Sequence, residues 1–250
     1  MHEFWETITD FPVLGNEEVH LWCATLRPAP ATLERMRKHL NEEEAERADK
    51  FVFDRDREAY TQARGLLRVL LSRYLGKEPG DIVFATVGNG KPALPDSGDG
   101  PALEFNVSHS GDLALYGFTR LSEIGVDIEK RRELKDALQI AESYFSPGER
   151  AALRELTPGE QARAFFNCWS RKEAFIKTRG EGLSRPLDSF DVSLRPGEKV
   201  ALLSADGNSG EGWTLDEPPS PDPDYALAYC LPAVPEKIRG FRWQSGIGLD

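Results

Sequence analysis

The chain has 250 residues, 40% hydrophobic and 29% charged, with a formal net charge of -11 at pH 7. This balance suits a soluble globular protein and excludes a nucleic-acid-binding surface spread over the whole molecule, so any phosphate-bearing partner needs a local basic patch. No apolar run approaches the ~20 residues that span a membrane, and the three cysteines, Cys23, Cys168 and Cys230, lack the spacing of a zinc site or disulfide framework.

The N-terminal MHEFWE has neither the basic start nor the apolar stretch of a signal peptide, which makes the cytoplasm the expected location. EEVHLWCATL (17–26) predicts a strand. Residues 32–50, rich in Glu, Arg and Lys with Leu33, Met36 and Leu40 at helical spacing, predict one amphipathic surface helix. From 57 to 75 the stripe of Ala63, Leu66, Leu67, Leu70, Leu71 and Leu75 predicts a buried-face helix ended by Gly76. DIVFATV (81–87) and FNVSHSGDLALYGF (105–118) read as strands around the turn-rich GNGKPALP (88–95) and a Gly/Asp/Pro loop. GVDIEK (125–130) is a further strand. In SPGERAALREL, Ser146 can cap a helix that begins at Pro147 with Glu149 in its first turn. A second long helix, 159–180, carries Phe165, Phe166, Trp169, Phe175 and Ile176 on its apolar side and ends at Gly180. Strands are expected near 189–204, 212–216 and 225–231. Each long helix is followed by a G-x-G turn, a proline, and then FNVS at 105 or FDVS at 190; duplication of an α/β half with a division near residue 120 is one explanation, chance the other.

Three segments could carry chemistry. In GVDIEK, Asp127 and Glu129 alternate with Val126 and Ile128, so both carboxylates leave one face of a strand. They are either a solvated edge balanced by Lys130, Arg131 and Arg132, or ligands of a hard cation such as Mg²⁺. In WSRKEAFIK (169–177), Glu173 and Lys177 have the spacing of an ordinary helix salt bridge. The same helix can instead turn Lys172, Glu173 and Lys177 towards the strand pair, adding a third carboxylate and a lysine for phosphate oxygens. In SHSG (108–111), Ser108 and Ser110 can simply shape a turn and His109 can be structural. No nucleophile elbow supports a hydrolase triad, and a phosphate contact fits His109 better.

Taken together and in order, GNGKP, FNVSHSG, GVDIEK and WSRKEAFIK closely resemble the motifs of the phosphopantetheinyl transferases of the surfactin-synthetase-activator group, over about residues 45–195. The resemblance implies transfer of 4'-phosphopantetheine from coenzyme A to a serine hydroxyl of an apo acyl or peptidyl carrier protein, with release of 3',5'-ADP. It places Asp127, Glu129 and Glu173 on the Mg²⁺ ligand positions and Lys177 beside the pyrophosphate. Ser108 and His109 fall on coenzyme A phosphate contacts, Lys91 and Pro92 on the loop beside the nucleotide, and Arg47 on a basic position for the 3'-phosphate. Lys172 belongs to the same cofactor-binding motif, and Glu149 matches an acidic residue near the metal. Glu44 stands where the pattern has a second basic residue, so Lys50 or Arg64 is expected to compensate. Glu173 is the candidate base for the serine proton, directly or through a water.

The resemblance also implies the fold class, α/β (α+β): a pseudo-twofold repeat of two similar α/β halves, 1–120 and 121–250, with the active site in the cleft between them, in a monomer. Because the chain and its expected carrier are both acidic, docking is expected to depend on local charge at Arg64, Arg68 and Arg73, or at Arg131 and Arg132. A Mg²⁺-dependent phosphoesterase and a non-catalytic coenzyme A-binding regulator are the alternative readings of the same residues.

Overall fold

The computed structural model describes residues 4–88, 90–95, 101–134 and 136–244. Most of the Gly/Asp/Pro loop expected before residue 105, and the central Asn89 of the GNG turn, lie outside the described residues. The chain is mixed α/β. Its strands are β1 (Trp5–Glu6), β2 (Glu18–Thr25), β3 (Ala85–Val87), β4 (Lys91–Ala93), β5 (Glu104–Ser110), β6 (Leu113–Thr119), β7 (Gly125–Lys130), β8 (Phe190–Val192), β9 (Leu202–Ala205), β10 (Asn208–Ser209), β11 (Thr214–Asp216), β12 (Tyr225–Leu231) and β13 (Lys237–Arg242). The helices are α1 (Pro30–Lys38), α2 (Glu42–Asp49), α3 (Asp54–Leu75), α4 (Ala137–Tyr144), α5 (Pro147–Arg154) and α6 (Pro158–Arg179).

Two sheets and two long helices form the frame. One sheet has the order β1-β13-β2-β6-β5 and the other β11-β12-β7. Alternation sorts each strand's apolar side chains between two layers. Trp22, Ala24, Tyr116 and Phe118 pack with Leu66, Leu67 and Leu70 of α3, whereas Val19, Leu21 and Leu115 meet Ile128, Leu227 and Tyr229 of the other sheet. The opposite face of that second sheet, with Ala226, Ala228 and Cys230, packs with Phe175 and Ile176 of α6. The layers therefore run α3, sheet, sheet, α6. Both helices end at the expected glycine, Gly76 at φ 63° and Gly180 at φ 66°, in the left-handed conformation that L side chains avoid. No helix among the described residues is long and apolar enough to cross a membrane.

Several elements differ from expectation. The helix expected over 32–50 is two helices: the Asn41 side chain accepts from Glu44 N, while Glu44 Oε2 accepts from Asn41 N, and this capping box restarts the chain as α2. The strand expected over 81–87 is reduced to β3, because buried Arg68 takes the carbonyls of Pro79 and Ile82 at 2.8 and 2.9 Å. The 105–118 segment is an antiparallel hairpin, β5–β6. Helix α4 and strand β13 had no clear sequence signal. Polar KIRGFR runs parallel to both β1 and β2 and lies between them, with Gly240 opposite Leu21.

Where β2 passes under α3, His20 is fully buried. Its Nδ1 lies 2.8 Å from the Tyr74 hydroxyl, which accepts from Trp22 Nε1, and its Nε2 lies 3.5 Å from Glu18 Oε2. Burial outweighs the attraction of Glu18 and lowers the imidazole pKa from 6.5 to about 4. Above pH 6.5 the ring is neutral whether the chain is folded or not. As pH falls from 6.5 towards 4, the unfolded chain takes up a proton that the folded ring refuses, so stability should decline over that window by on the order of 3 kcal/mol. Urea unfolding across the window checks this: His20→Gln should flatten the decline, and a profile identical to wild type would exclude His20 as its source.

Candidate active site

The edges of the two sheets meet where β5 passes β7, and side chains join them. Asn106, Ser108 and Ser110, alternate residues of β5, all reach across. Asn106 Oδ1 accepts from Val126 N at 2.9 Å, and Ser110 Oγ accepts from Lys130 N at 3.1 Å. Ser108 donates to Asp127 Oδ1 at 2.9 Å, and Ser110 to Glu129 Oε2 at 3.0 Å. Asn106 and Ser110 were not expected to bridge the sheets in this way. Their signal was the N-x-S-x-S alternation, which has meaning only once β7 is known to lie alongside.

Helix α6 covers the carboxylate face of β7. Its closeness is set by Gly125, where a Cβ would fall 2.1 Å from the Ala174 carbonyl and 2.4 Å from Thr178 N. At this range Lys177 Nζ donates to Asp127 Oδ1 at 2.6 Å and to Ser108 Oγ at 2.8 Å. Among the described ion pairs Lys177 is thus joined to Asp127 and not to Glu173, its i-4 neighbour. Asp127 is 2% exposed, and its Oδ2 is buried without a hydrogen-bond partner. Burial and the Asp127 charge raise the pKa of Glu129 and of Glu173, partly offset at both by Lys177. The exposed ring of His109 extends from β5 on the side opposite Ser108, and partial desolvation followed by the Lys177 ammonium lowers its pKa. The product is a tight cluster of Ser108, Asp127 and Lys177 flanked by Glu129 and Glu173. Among the described residues no three His, Cys, Asp or Glu side chains form a ready-made metal cluster.

Other expected site residues lie elsewhere. Lys172 requires a correction: it is wholly buried on another side of α6, its ammonium 2.8 Å from Glu149 Oε1, 2.7 Å from the Leu187 carbonyl and 2.6 Å from the Phe190 carbonyl. With its donors engaged inside the protein it cannot reach a cofactor. Glu149 is corrected with it, since the same carboxylate caps α5 through Ser146 N and accepts from Val192 N. Burial raises the Glu149 pKa, against the pull of Lys172. Glu44 is a buried partner of both Arg64 and Arg68, which removes Arg68 from the expected docking surface and binds Arg64 internally. Arg47 is exposed on α2, its guanidinium 5.5 Å from the Tyr60 ring centre. Pro92 lies in β4 opposite Thr86, and Lys91 directs its ammonium at backbone carbonyls.

Comparison with known proteins bears on this arrangement. A family model described as the 4'-phosphopantetheinyl transferase superfamily matches residues 123–230, and one described as 4'-phosphopantetheinyl transferase, N-terminal, matches 24–117. The chain is 36% identical over 231 residues to the 4'-phosphopantetheinyl transferase HetI of Nostoc sp., covering 92% of each chain. It is 36% identical over 207 residues to the 4'-phosphopantetheinyl transferase Sfp of Bacillus subtilis, covering 82% of this chain and 88% of Sfp. The human L-aminoadipate-semialdehyde dehydrogenase-phosphopantetheinyl transferase is 30% identical over 210 residues, 78% of this chain and 68% of the human one. Similarity of this extent, together with the Ser108–Asp127–Lys177 cluster, means that the chain belongs to the 4'-phosphopantetheinyl transferases, enzymes of the Sfp type.

Proposed function

We propose that this enzyme transfers the 4'-phosphopantetheine arm of coenzyme A to a serine hydroxyl of an apo acyl or peptidyl carrier protein, releasing 3',5'-ADP in a Mg²⁺-dependent reaction. The observation that carries the reading is the meeting of Lys177, Ser108 and Asp127 between two further carboxylates. Coenzyme A is assigned to the cleft between residues 1–120 and 121–250, taken as two similar halves with β13 returning to the first. His109 is assigned to its phosphates, and Arg47 beside Tyr60 to its 3'-phosphate.

Oxygen-only donors are the kind a hard cation takes, although the three carboxylates are not gathered into a metal cluster as they stand. Asp127 Oδ2 is buried and unpartnered, and Glu129 and Glu173 are held close enough to Asp127 for its charge to raise their pKa values. Asp127, Glu129 and Glu173 would hold Mg²⁺, which when bound supplies charge neutralisation at the pyrophosphate. The remaining chemistry belongs to the side chains. Glu173 accepts the serine proton on a carboxylate oxygen, directly or through a water. The serine Oγ–P bond forms at the β-phosphorus as the bridging P–O bond breaks, and the leaving oxygen departs with 3',5'-ADP. Lys177 offsets charge developing on that oxygen.

Mixing the protein with coenzyme A, Mg²⁺ and a panel of apo carrier proteins, then weighing the carriers, tests the proposal. A mass gain of one phosphopantetheine arm is expected. Absence of any gain across a broad panel would overturn it, with phosphate or nucleotide release indicating a phosphoesterase and tight binding without turnover a regulator.

For the carrier, we assign docking to the basic and apolar rim beside Glu129. A cavity of about 420 Å³ there is lined by Arg131, Arg132, Leu134, Phe166 and Trp169. Arg131 is tied to the Pro223 carbonyl and Asn167, whereas Arg132 is exposed. Arg132→Glu should raise the KM for an acidic carrier on the order of tenfold while leaving the KM for coenzyme A near wild type. An unchanged carrier KM would exclude this rim.

A further inference from the structure

Lys91 lies outside the catalytic cluster, yet its ammonium touches the backbone of both elements that build it. Nζ is 2.9 Å from the carbonyl of Ile124, the residue before β7, and 3.4 Å from that of Thr178, the residue after Lys177. Thr178 stands in the last turn of α6, where carbonyls have no partner within the helix and where a cation is favoured by the helix dipole. The turn that carries Lys91 fits this junction closely. Gly88, at φ 56°, faces the α6 terminus at a range where a Cβ would fall 2.4 Å from the Gly180 carbonyl. The β3–β4 hairpin is therefore seated on the end of α6, with the lysine passing from it into the joint between helix and strand.

We infer that Lys91 is a positioning residue, whose ammonium bolts the start of β7 to the end of α6 and so fixes Lys177 against Asp127. The inference rests on the proposed transfer reaction for its catalytic consequence, but not for its structural one. β7 supplies Asp127 and Glu129, and α6 supplies Glu173 and Lys177. A shift of one element along the other would change the separation between the two pairs. Gly125 fixes how closely the elements approach, and Lys91 adds a polar tie on both carbonyls at the end of the joint. This assignment differs from a nucleotide contact, which would send the ammonium to coenzyme A instead of to the protein backbone.

Lys91→Met retains the aliphatic stem and removes the tie, while Lys91→Arg keeps a cation with several donors. Hydrogen exchange of the ligand-free proteins, calorimetric binding of coenzyme A, and kcat for transfer to an apo carrier together test the assignment. In K91M, peptides covering 124–127 and 176–182 should exchange faster while those within α3 stay as in wild type. The kcat should fall on the order of tenfold to a hundredfold, as for a misplaced catalytic group, with the Kd for coenzyme A changed less than about threefold. K91R should restore protection and most of kcat. Unchanged exchange in K91M, combined with a loss confined to coenzyme A affinity, would overturn the inference in favour of a direct nucleotide contact. If the wild-type protein modifies no carrier, the proposed reaction fails, and the exchange experiment still decides whether Lys91 ties the joint.

Discussion

Glu173→Gln should lower phosphopantetheine transfer by about 10³-fold, within the range expected on losing a positioned general base, and leave the fold intact. The side chain is half-buried beside Asp127, and both desolvation and that charge raise its pKa. Ionised Glu173 is therefore less favourable in the folded protein than in the unfolded chain, and a neutral amide of nearly the same shape removes that penalty. The E173Q melting temperature should match wild type or exceed it slightly. Single-turnover mass analysis of an apo carrier, alongside a thermal melt, separates the two effects. Transfer near the wild-type rate would rule out Glu173 as base or metal ligand. Lys177→Met offers the contrasting case. It removes the cation from buried Asp127, so activity and stability should fall together.

Lys172→Met should cost on the order of 3–5 kcal/mol, a large share of the stability of a typical domain. It leaves Glu149 charged and buried, at 3% exposure, and deprives the Leu187 and Phe190 carbonyls of a donor. The damage reaches the α5 cap, because the same carboxylate accepts from Ser146 N and Val192 N. Replacing both partners, Lys172→Met with Glu149→Leu, removes the stranded charge and should recover part of the loss. Denaturant unfolding of the two variants provides the measurement. A K172M protein as stable as wild type but unable to bind coenzyme A would restore Lys172 to the cofactor site.

These two lysines mark the limit of what the sequence could reveal. Helix α6, its terminal glycine and the D-x-E strand were legible from periodicity and turn chemistry, and helical spacing allowed Glu173 and Lys177 to face that strand, but the direct Lys177–Asp127 pair was not foreseen. Which polar face of α6 meets which neighbour was not legible. Lys172 and Lys177 are five residues apart, about 140° around a helix of 3.6 residues per turn, and aromatic residues flank both. One lysine faces the strand and the other α5, whose capping residue Glu149 was matched to an acidic position near the metal because only its motif could be seen. The break at Asn41 was written in its capping residues, but the charged run on either side concealed it. Strand β13 had no local signal at all, since its pairing partners lie some two hundred residues away.

That distant pairing has a consequence for the birth of the protein. β13 occupies the place between β1 and β2, so during synthesis the five-stranded sheet stays incomplete until residues 237–242 have left the ribosome. Until then β2 pairs only with β6, and its other edge remains open to any strand that reaches it. The first 120 residues, read as one half, thus cannot finish their own architecture. Cutting the gene at that point would separate the sheet from a strand it needs, whereas a permuted chain that brings 237–242 in just ahead of β2 would let the sheet close early.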